Sequence, residues 1–182
     1  MTAALEHDYD DLIRIFSDCF EAQYNTRLVR GGDEPIYLPA DEQRPYHAIV
    51  FAHGYYSSAL HELAHWLIAG PERRLLEDFG YWYEPDGRSA EQQRLFEQVE
   101  VKPQATEWLL ADAAGFRFRV SSDNLSGEPT DNTAFKQAVH AQVLSYIANG
   151  LPERTACLRE ALCRFYQRPL ALDATRFNTE RI

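Results

Sequence analysis

The sequence predicts an α+β fold, in which an opening helix, a small β-sheet and several later helices form a single domain over residues 1–182. Three features of the sequence lead to this prediction. Apolar residues recur at helical spacing near the start of the chain, short apolar runs bounded by proline or glycine follow, and long helix-like segments fill the second half. A length of 182 residues and an apolar content of 45% suit one compact domain with its own core.

The first fifty residues predict one helix and two short strands. A helix is expected over Asp8–Phe20, where apolar side chains recur at helical spacing. The run Arg27–Val29 then leads to a turn at Gly31–Asp33. Ile36–Leu38 is expected to be a short strand because proline bounds it on both sides, and Ala48–Phe51 is expected to be a second strand.

Tyr55–Ala69 is the next predicted helix. We expect it to be N-capped, with Ser57 or Ser58 near its first turns, and Gly70 followed by Pro71 should end it. This helix carries the segment HELAHW, on which the functional interpretation rests.

The region between the HELAHW helix and Ala114 predicts an aromatic strand and an interrupted helix. Phe79–Tyr83 is aromatic enough for a strand or one arm of a hairpin. Ser89 fits the N-cap of a capping box that Gln92 completes. The helix that follows is expected to run to Val99 and to resume after Pro103 as far as Ala114, with Pro103 marking a kink or a break within it.

The remaining part of the chain predicts one strand and two helices. Phe116–Val120 alternates between apolar and charged residues, as an edge strand does. Helices are expected over Asn132–Asn149 and Pro152–Tyr166, each ending near glycine or proline.

Composition restricts the partners and the location of the protein. A net charge of -10 and a pI near 5.0 disfavour nucleic acid and anionic membranes as partners and favour a cationic one. No run approaches the roughly 18 apolar residues of a membrane span, and the N-terminus lacks the features of a secretory signal, so a cytoplasmic protein is expected. Cys19, Cys157 and Cys163 are expected to be reduced, buried and inert.

The segment HELAHW is the clearest chemical signal in the chain. His61 and His65 lie four residues apart, so on a helix both imidazoles share one face and can reach a single metal ion. Glu62 projects toward the same region and could act as a catalytic base on metal-bound water or orient a histidine. The alternative interpretation is a surface helix with two solvated histidines.

A third metal ligand is expected from the helix that follows, because two neutral imidazoles alone rarely hold a metal ion tightly. The candidates are Glu97 and Glu100. Glu100 lies between two valines, where an ionised carboxylate would need a partner such as a metal ion, and we therefore choose Glu100 with Glu97 in reserve. These three ligands would suit zinc in amide hydrolysis and iron(II) in dioxygen chemistry equally well.

Four further residues are candidates for binding the substrate. His53 closes the strand before the HELAHW helix and could line a pocket, although a capping or core role suits it equally. Tyr81, Trp82 and Tyr83 could grip an alkylammonium group through cation–π contacts, although such aromatic runs more often belong to a core. His140 is expected to be a packing or surface residue.

Several blocks of sequence together resemble one known family, the bacterial elongation factor P hydroxylases. The resemblance extends from about Asn25 to Arg154, so it covers most of the chain. It rests on the blocks EPIYLPAD, YHAIVFAHG, SALHELAHW, FGYWYEPDGR, FEQVEVKPQATEWL, SDNL, VHAQV and NGLPER.

The resemblance implies an iron(II)-dependent enzyme that hydroxylates the modified lysine of elongation factor P after a β-lysyl group has been attached to it. Dioxygen and an unidentified reductant would be the co-reactants, and zinc could occupy the site in the protein as purified. The family's metal ligands would correspond to His61, His65 and Glu100 of this sequence. A zincin-like metal helix is implied, packed on a small sheet with additional helices after it, and Glu62 need not then be a hydrolytic base.

Two other functions stay open at this point. The bare HExxH pattern favours a zinc-dependent peptidase or amidase of the zincin type. A non-catalytic module that binds a translation factor, with a purely structural metal, is the third hypothesis. A structural metal site is coordinatively closed, but only three protein ligands can be named here. This counts against the binding-module hypothesis.

Overall fold

The computed structural model describes residues 6–78, 87–122 and 131–182. One helix precedes three short strands, and the other helices follow. The helices are α1 (Tyr9–Tyr24), α2 (Tyr56–Ile68), α3 (Ala90–Ala114), α4 (Thr133–Asn149) and α5 (Glu153–Phe165), and the strands are β1 (Thr26–Arg30), β2 (Ile36–Leu38) and β3 (His47–Phe51). This content confirms the predicted α+β class. The predicted strand at Phe79–Tyr83 lies outside the described residues.

The three strands form a sheet in the order β1-β3-β2. β3 pairs in parallel with β1, where Leu28 lies opposite Ile49, and antiparallel with β2, where Tyr37 also lies opposite Ile49. β2 and β3 match the predicted strands, and β1 is a strand that the sequence suggested only as a run before a turn. Leu28 and Ile49 are both buried, so the sheet contributes directly to the core.

The helix α2 matches the predicted helix to within one residue at each end. Its N-cap is Tyr55, and no side chain makes a capping hydrogen bond there. Ser57 and Ser58 lie in the first turn, as expected, but the expected side-chain N-cap is absent. At the other end, where α2 stops, Arg154 of α5 donates hydrogen bonds to the backbone oxygens of Trp66 and Ala69.

The helix α3 begins as predicted and continues where a break was predicted. The capping box of Ser89 and Gln92 is present, as predicted. The helix then runs through Pro103 to Ala114, so the predicted break between Val99 and Pro103 is wrong. A proline removes one backbone hydrogen bond, but both halves of α3 are held by burial, since Phe96 and much of the stretch after Pro103 are inaccessible to solvent.

The segment 116–120 is not a strand, although its alternation of buried and exposed side chains is real. Phe118 is buried and stacks on Trp108, while Arg117 and Arg119 are exposed. No strand among the described residues pairs with it. The chain is instead anchored just beyond it, where the backbone N–H of Ser121 donates to the side-chain oxygen of Gln104 at 2.9 Å.

The helices after the segment 116–120 match the prediction, because α4 and α5 begin and end within one residue of the predicted bounds. Buried apolar side chains from all five α-helices and from β1 and β3 belong to one core cluster. His140 packs as expected, with its ring beside Trp108 and its Nε2 at 3.0 Å from the backbone oxygen of Phe177. No described helix is long and apolar enough to span a membrane.

The three cysteines are free thiols, as expected, but they are not all buried. Cys163 is buried, Cys19 is half-buried and Cys157 is exposed. Burial raises the pKa of the Cys19 thiol to about 12, and the neighbouring Cys157 adds to this effect. Cys19 therefore stays protonated and unreactive at neutral pH.

Candidate metal centre

Three side chains from α2 and α3 bring their ligand atoms together. The Nε2 atoms of His61 and His65 lie 3.1 Å apart. The two carboxylate oxygens of Glu100 lie 3.1 Å from Nε2 of His65 and 3.7 Å from Nε2 of His61. Among the described residues this is the group of histidine, cysteine or acidic side chains that could hold a metal ion.

The spacing of these atoms suits a single metal ion. Ligand atoms about 2.1 Å from a metal lie about 3.0 to 3.4 Å from one another in octahedral or tetrahedral geometry. The separations from Nε2 of His65 to Nε2 of His61 and to one oxygen of Glu100 fall within that range, and the other oxygen of Glu100 lies slightly beyond it from Nε2 of His61. The carboxylate of Glu100 is 1% exposed, and a buried anion of this kind needs a cationic partner. The donor set therefore fits a divalent cation such as zinc or iron(II).

Glu97, the reserve candidate for the third ligand, lies apart from this group. It is half-buried, and its carboxylate accepts a hydrogen bond from the side chain of Gln93 at 3.3 Å. It precedes Glu100 by three residues, but its hydrogen bond to Gln93 holds it away from the histidine ligand atoms, and it is not part of the group that could hold a metal ion. The structure thus places Glu100, and not Glu97, beside the two histidines.

Glu107 contacts the candidate metal ligand His61 and was not singled out by the sequence analysis. Its carboxylate lies 2.8 Å from Nδ1 of His61, on the side of the ring away from the metal-ligand atoms. A hydrogen bond from Nδ1–H to this carboxylate leaves the lone pair of Nε2 free to face the metal, which fixes the tautomer and the ring orientation. A signal was present in the sequence, because Glu107 follows Glu100 by seven residues and so lies on the same face of α3 two turns later.

Gln104 completes a polar stripe between the two glutamates of α3. Its side-chain nitrogen donates to Glu100 at 3.3 Å and to the backbone oxygen of Ser121 at 2.7 Å. These bonds orient the Glu100 carboxylate and connect it, through Gln104, to the segment that follows α3. Glu100, Gln104 and Glu107 are all buried, so α3 carries a row of polar side chains into the interior at positions that point toward α2.

The charges of the site act on one another strongly. Burial raises the pKa of Glu100, but the attraction of His65 and His61 outweighs it and lowers the pKa to about 2. Burial lowers the pKa of His61, but Glu107 and Glu100 outweigh it and raise the pKa well above the ordinary value of 6.5. Burial also raises the pKa of Glu62. In the absence of a metal ion, His61 therefore holds a proton that the metal must displace.

Two cavities reach the site from two sides. A cavity of about 310 Å³, which we call the narrow cavity, is lined by His65 and Glu100 together with apolar residues such as Val99. A cavity of about 720 Å³, the wide cavity, is lined by His61 and Glu107. Both volumes fall within the range of about 300 to 1,000 Å³ that is typical of ligand pockets.

Glu62 is the one described residue that lines both cavities. It makes no hydrogen bond to any other described residue, so its carboxylate is available to a molecule in either cavity. Of the proposed substrate-binding residues, His53 lines the wide cavity with its side chain half-exposed, 3.9 Å from the carboxylate of Asp33. Tyr81, Trp82 and Tyr83 lie outside the described residues.

Comparison with known proteins gives two concordant matches. A family model described as elongation factor P hydroxylase matches residues 15–177. A curated protein from Haemophilus influenzae named elongation factor P lysine hydroxylase is 63% identical over 174 residues, an alignment that covers 96% of this chain and 98% of the relative. Neither match supports a peptidase or a non-catalytic binding module.

Replacing Glu107 should weaken metal binding without removing a metal ligand. We expect Glu107→Ala to lower the affinity for Zn²⁺ or Fe²⁺ by about 10- to 100-fold, because His61 loses the group that orients it. Glu107→Gln, whose amide oxygen can still accept from Nδ1–H, should lose less. Competition with a chromophoric chelator measures both, with Glu97→Gln as the matched control on the same helix. Equal affinities for wild type and Glu107→Ala would contradict this role.

Metal affinity should fall as the pH falls, beginning near neutral pH. The reason is that the metal needs neutral His61, whereas the raised pKa of this imidazole keeps its proton bound up to a higher pH than usual. Chelator competition repeated from about one unit below the ordinary histidine pKa to about 2.5 units above it measures the midpoint. Glu107→Gln removes a charge that raises this pKa, so the midpoint should move to lower pH. If Glu107→Gln left the midpoint unchanged, the charge of Glu107 would not control the pKa of His61.

Proposed function

Because the chain belongs to the elongation factor P hydroxylase family, we propose that it hydroxylates the β-lysylated lysine of elongation factor P at an iron(II) ion held by His61, His65 and Glu100. The observation that carries this proposal is the convergence of two imidazoles and one carboxylate within a chain whose relative is named a lysine hydroxylase. Two histidines and one carboxylate on one face of a metal leave positions open for dioxygen.

The chemistry supplied by iron(II) at these ligands would be the activation of dioxygen. One oxygen atom enters a C–H bond of the substrate, and the other leaves as water once two electrons and two protons have come from a reductant. The protein's own contribution is to hold the ligands in place. Glu107 and Gln104 do so through hydrogen bonds to His61 and Glu100, so both ligand side chains are oriented before the metal binds.

Glu62 would bind the substrate in this reaction. Glu62 lines both cavities and directly follows the ligand residue His61 in the sequence. Its carboxylate has no hydrogen-bond partner among the described residues. The substrate arm carries ammonium groups, and a carboxylate in a partly enclosed cavity pairs with an ammonium group more strongly than one in water. Glu62 would thus fix the position of the arm relative to the metal, a role that does not require it to transfer a proton.

The length of the substrate explains why the site has two cavities. The β-lysyl group is attached beyond the lysine that reacts, so the arm needs room on both sides of the metal. Asp78 lines the narrow cavity, and Tyr81, Trp82 and Tyr83 follow it closely in the chain. We propose that these aromatic residues grip the far end of the arm through cation–π contacts, and that His53 lines its path through the wide cavity.

The proposal extends to the fold and the domain organisation. We propose that α2 packs on its sheet in the manner of zincins, which the contact of α2 with β3 supports. We also propose that residues 1–182 form one hydroxylase domain of the cytoplasm. The single hydrophobic core cluster, to which all five α-helices contribute, supports this organisation.

Intact mass measurement of the substrate tests the reaction. Protein loaded with Fe²⁺ without oxygen is mixed with β-lysylated elongation factor P, air and a reductant such as ascorbate or dithionite. We expect the substrate to gain the mass of one oxygen atom, and His61→Ala or Glu100→Ala to abolish the gain, whereas Glu97→Ala should retain it.

Other outcomes of the same assay would decide against hydroxylation. Cleavage products would indicate a peptidase, and an unchanged mass together with a tight complex would indicate a binding module. Metal analysis of the protein as isolated accompanies the assay, because zinc in the site would suppress turnover and must be replaced by iron first.

Replacing the carboxylate of Glu62 should weaken substrate binding while the metal stays in place. For Glu62→Gln we expect KM for β-lysylated elongation factor P to rise about 10- to 100-fold, since an ammonium group loses its charged partner. Metal affinity, measured by chelator competition, should stay within about twofold. If instead kcat fell and KM were unchanged, Glu62 would act in the chemical step rather than in binding.

A further inference from the structure

Four cationic side chains gather at the mouth of the wide cavity. Arg117 and Arg119 line this cavity and also an adjoining groove of about 360 Å³. Lys136 and Arg181 line the same groove. We call these four residues the basic rim. Glu180 is the one acidic side chain among the described residues of the groove, and no described carboxylate lies within ion-pairing distance of any of the four cations.

The basic rim stands out against the charge of the chain. The net charge is -10, and many of the other arginines are paired with carboxylates, as Arg73 is with Asp78 and Arg176 with Asp112. Four cations outnumber the carboxylate of Glu180 in the groove and that of Asp131, which acts on Lys136, so a local positive potential remains on a negative molecule. Cations that serve only solubility would be dispersed among the acidic residues of the surface.

The segment that carries the two arginines of the rim is held firmly from inside. Phe118 is buried and stacks on Trp108 with ring centroids 5.4 Å apart, and Phe116 packs against Tyr56 at 5.0 Å. The alternation that resembles an edge strand thus serves to point Phe116 and Phe118 inward and both arginines outward.

The backbone of this segment is also available for binding. Within the described part of the chain, no hydrogen bond is made by the backbone N–H or C=O groups of residues 117–120. The segment therefore presents both cations and free peptide groups on a rigid support, beside the cavity that leads to His61 and Glu62.

The charges inside the wide cavity differ from those of its exposed lining, where Arg117 and Arg119 outnumber the single carboxylate of Asp33. Glu62 and Glu107 place carboxylates inside, where they suit a cationic arm. The cations of the rim would repel that arm, so they have no use in binding it. They suit instead the anionic groups of a larger molecule from which the arm projects.

We propose that the basic rim is the docking surface for an acidic patch of the substrate protein, next to its modified lysine, and that the lysine arm enters the wide cavity toward Glu62. The inference rests on the proposed function for the identity of the substrate. A protein with a local acidic patch fits better than a nucleic acid, because the charge of -10 repels a polyanion everywhere beyond the rim. Contact at the rim would also orient the substrate before the arm reaches the metal.

Charge reversal at the rim tests the docking surface by binding alone. We compare Arg117→Glu/Arg119→Glu and Lys136→Glu/Arg181→Glu with Arg14→Glu/Arg164→Glu, a matched pair of exposed arginines that line none of the cavities described above. Each double variant lowers the net charge from -10 to -14, since each reversal removes one positive charge and adds one negative charge. Circular dichroism and chelator competition confirm that fold and metal site are intact.

The expected result is a loss of affinity confined to the rim variants. Titration of the metal-loaded full chain with β-lysylated elongation factor P should show Kd at least about tenfold higher for both rim variants at low salt, with the difference shrinking as salt rises. The control pair should stay within about twofold. Equal affinity in rim variants and control would overturn the proposal, and so would tight binding of a short RNA that the rim reversals abolish.

A comparison of two substrates separates docking from action inside the cavity. With a short peptide that carries the β-lysylated lysine, Arg117→Glu/Arg119→Glu should react like wild type, whereas KM for the whole substrate protein should rise about tenfold. Equal loss with both substrates would place the arginines in contact with the arm or a small anion and would overturn the docking surface. If wild type binds the protein through the rim without hydroxylating it, the proposed function fails while the docking surface stands.

Discussion

Glu100 and Glu107 carry two carboxylates from α3 into the interior of the protein, where they meet two histidines of α2. A buried carboxylate without a partner costs several kcal/mol, so this contact fixes how the two helices are placed along and around each other. The surrounding elements are arranged to support it. The sheet packs on α2 through β3, α4 and α5 pack on α3, and α5 also contacts α2, so the helix pair is supported by the elements on both sides of it in the sequence.

Much of the site could be predicted from the sequence because its strongest signals are local. The spacing of His61 and His65 needs only a helix, and the choice of Glu100 over Glu97 needs only its apolar neighbours. Glu107 was missed because its partner, Nδ1 of His61, lies 46 positions away, and only the i, i+7 relation to Glu100 hinted at it. The reaction itself was inferred from the family resemblance, since the ligand types suit zinc and iron alike.

The errors in the predicted fold have a common origin in tertiary contacts that local rules do not include. Pro103 does not interrupt α3, because burial of both halves of the helix outweighs one lost hydrogen bond. The segment 116–120 alternates like a strand but stays unpaired, because its inward phenylalanines pack on α3 and on aromatic residues rather than on a sheet. At Tyr55 the N-cap side chain makes no hydrogen bond, so the start of α2 is set by packing and not by a serine.

The polar row on α3 also determines which kinds of genetic change this region can tolerate. A substitution changes one side chain, but the insertion or deletion of one residue between Glu100 and Glu107 turns the rest of the helix by about 100° and shifts it by about 1.5 Å. Gln104 and Glu107 could not then both reach their present partners while Glu100 remains with the histidines. We therefore expect the length of this stretch to be under stricter selection than its composition.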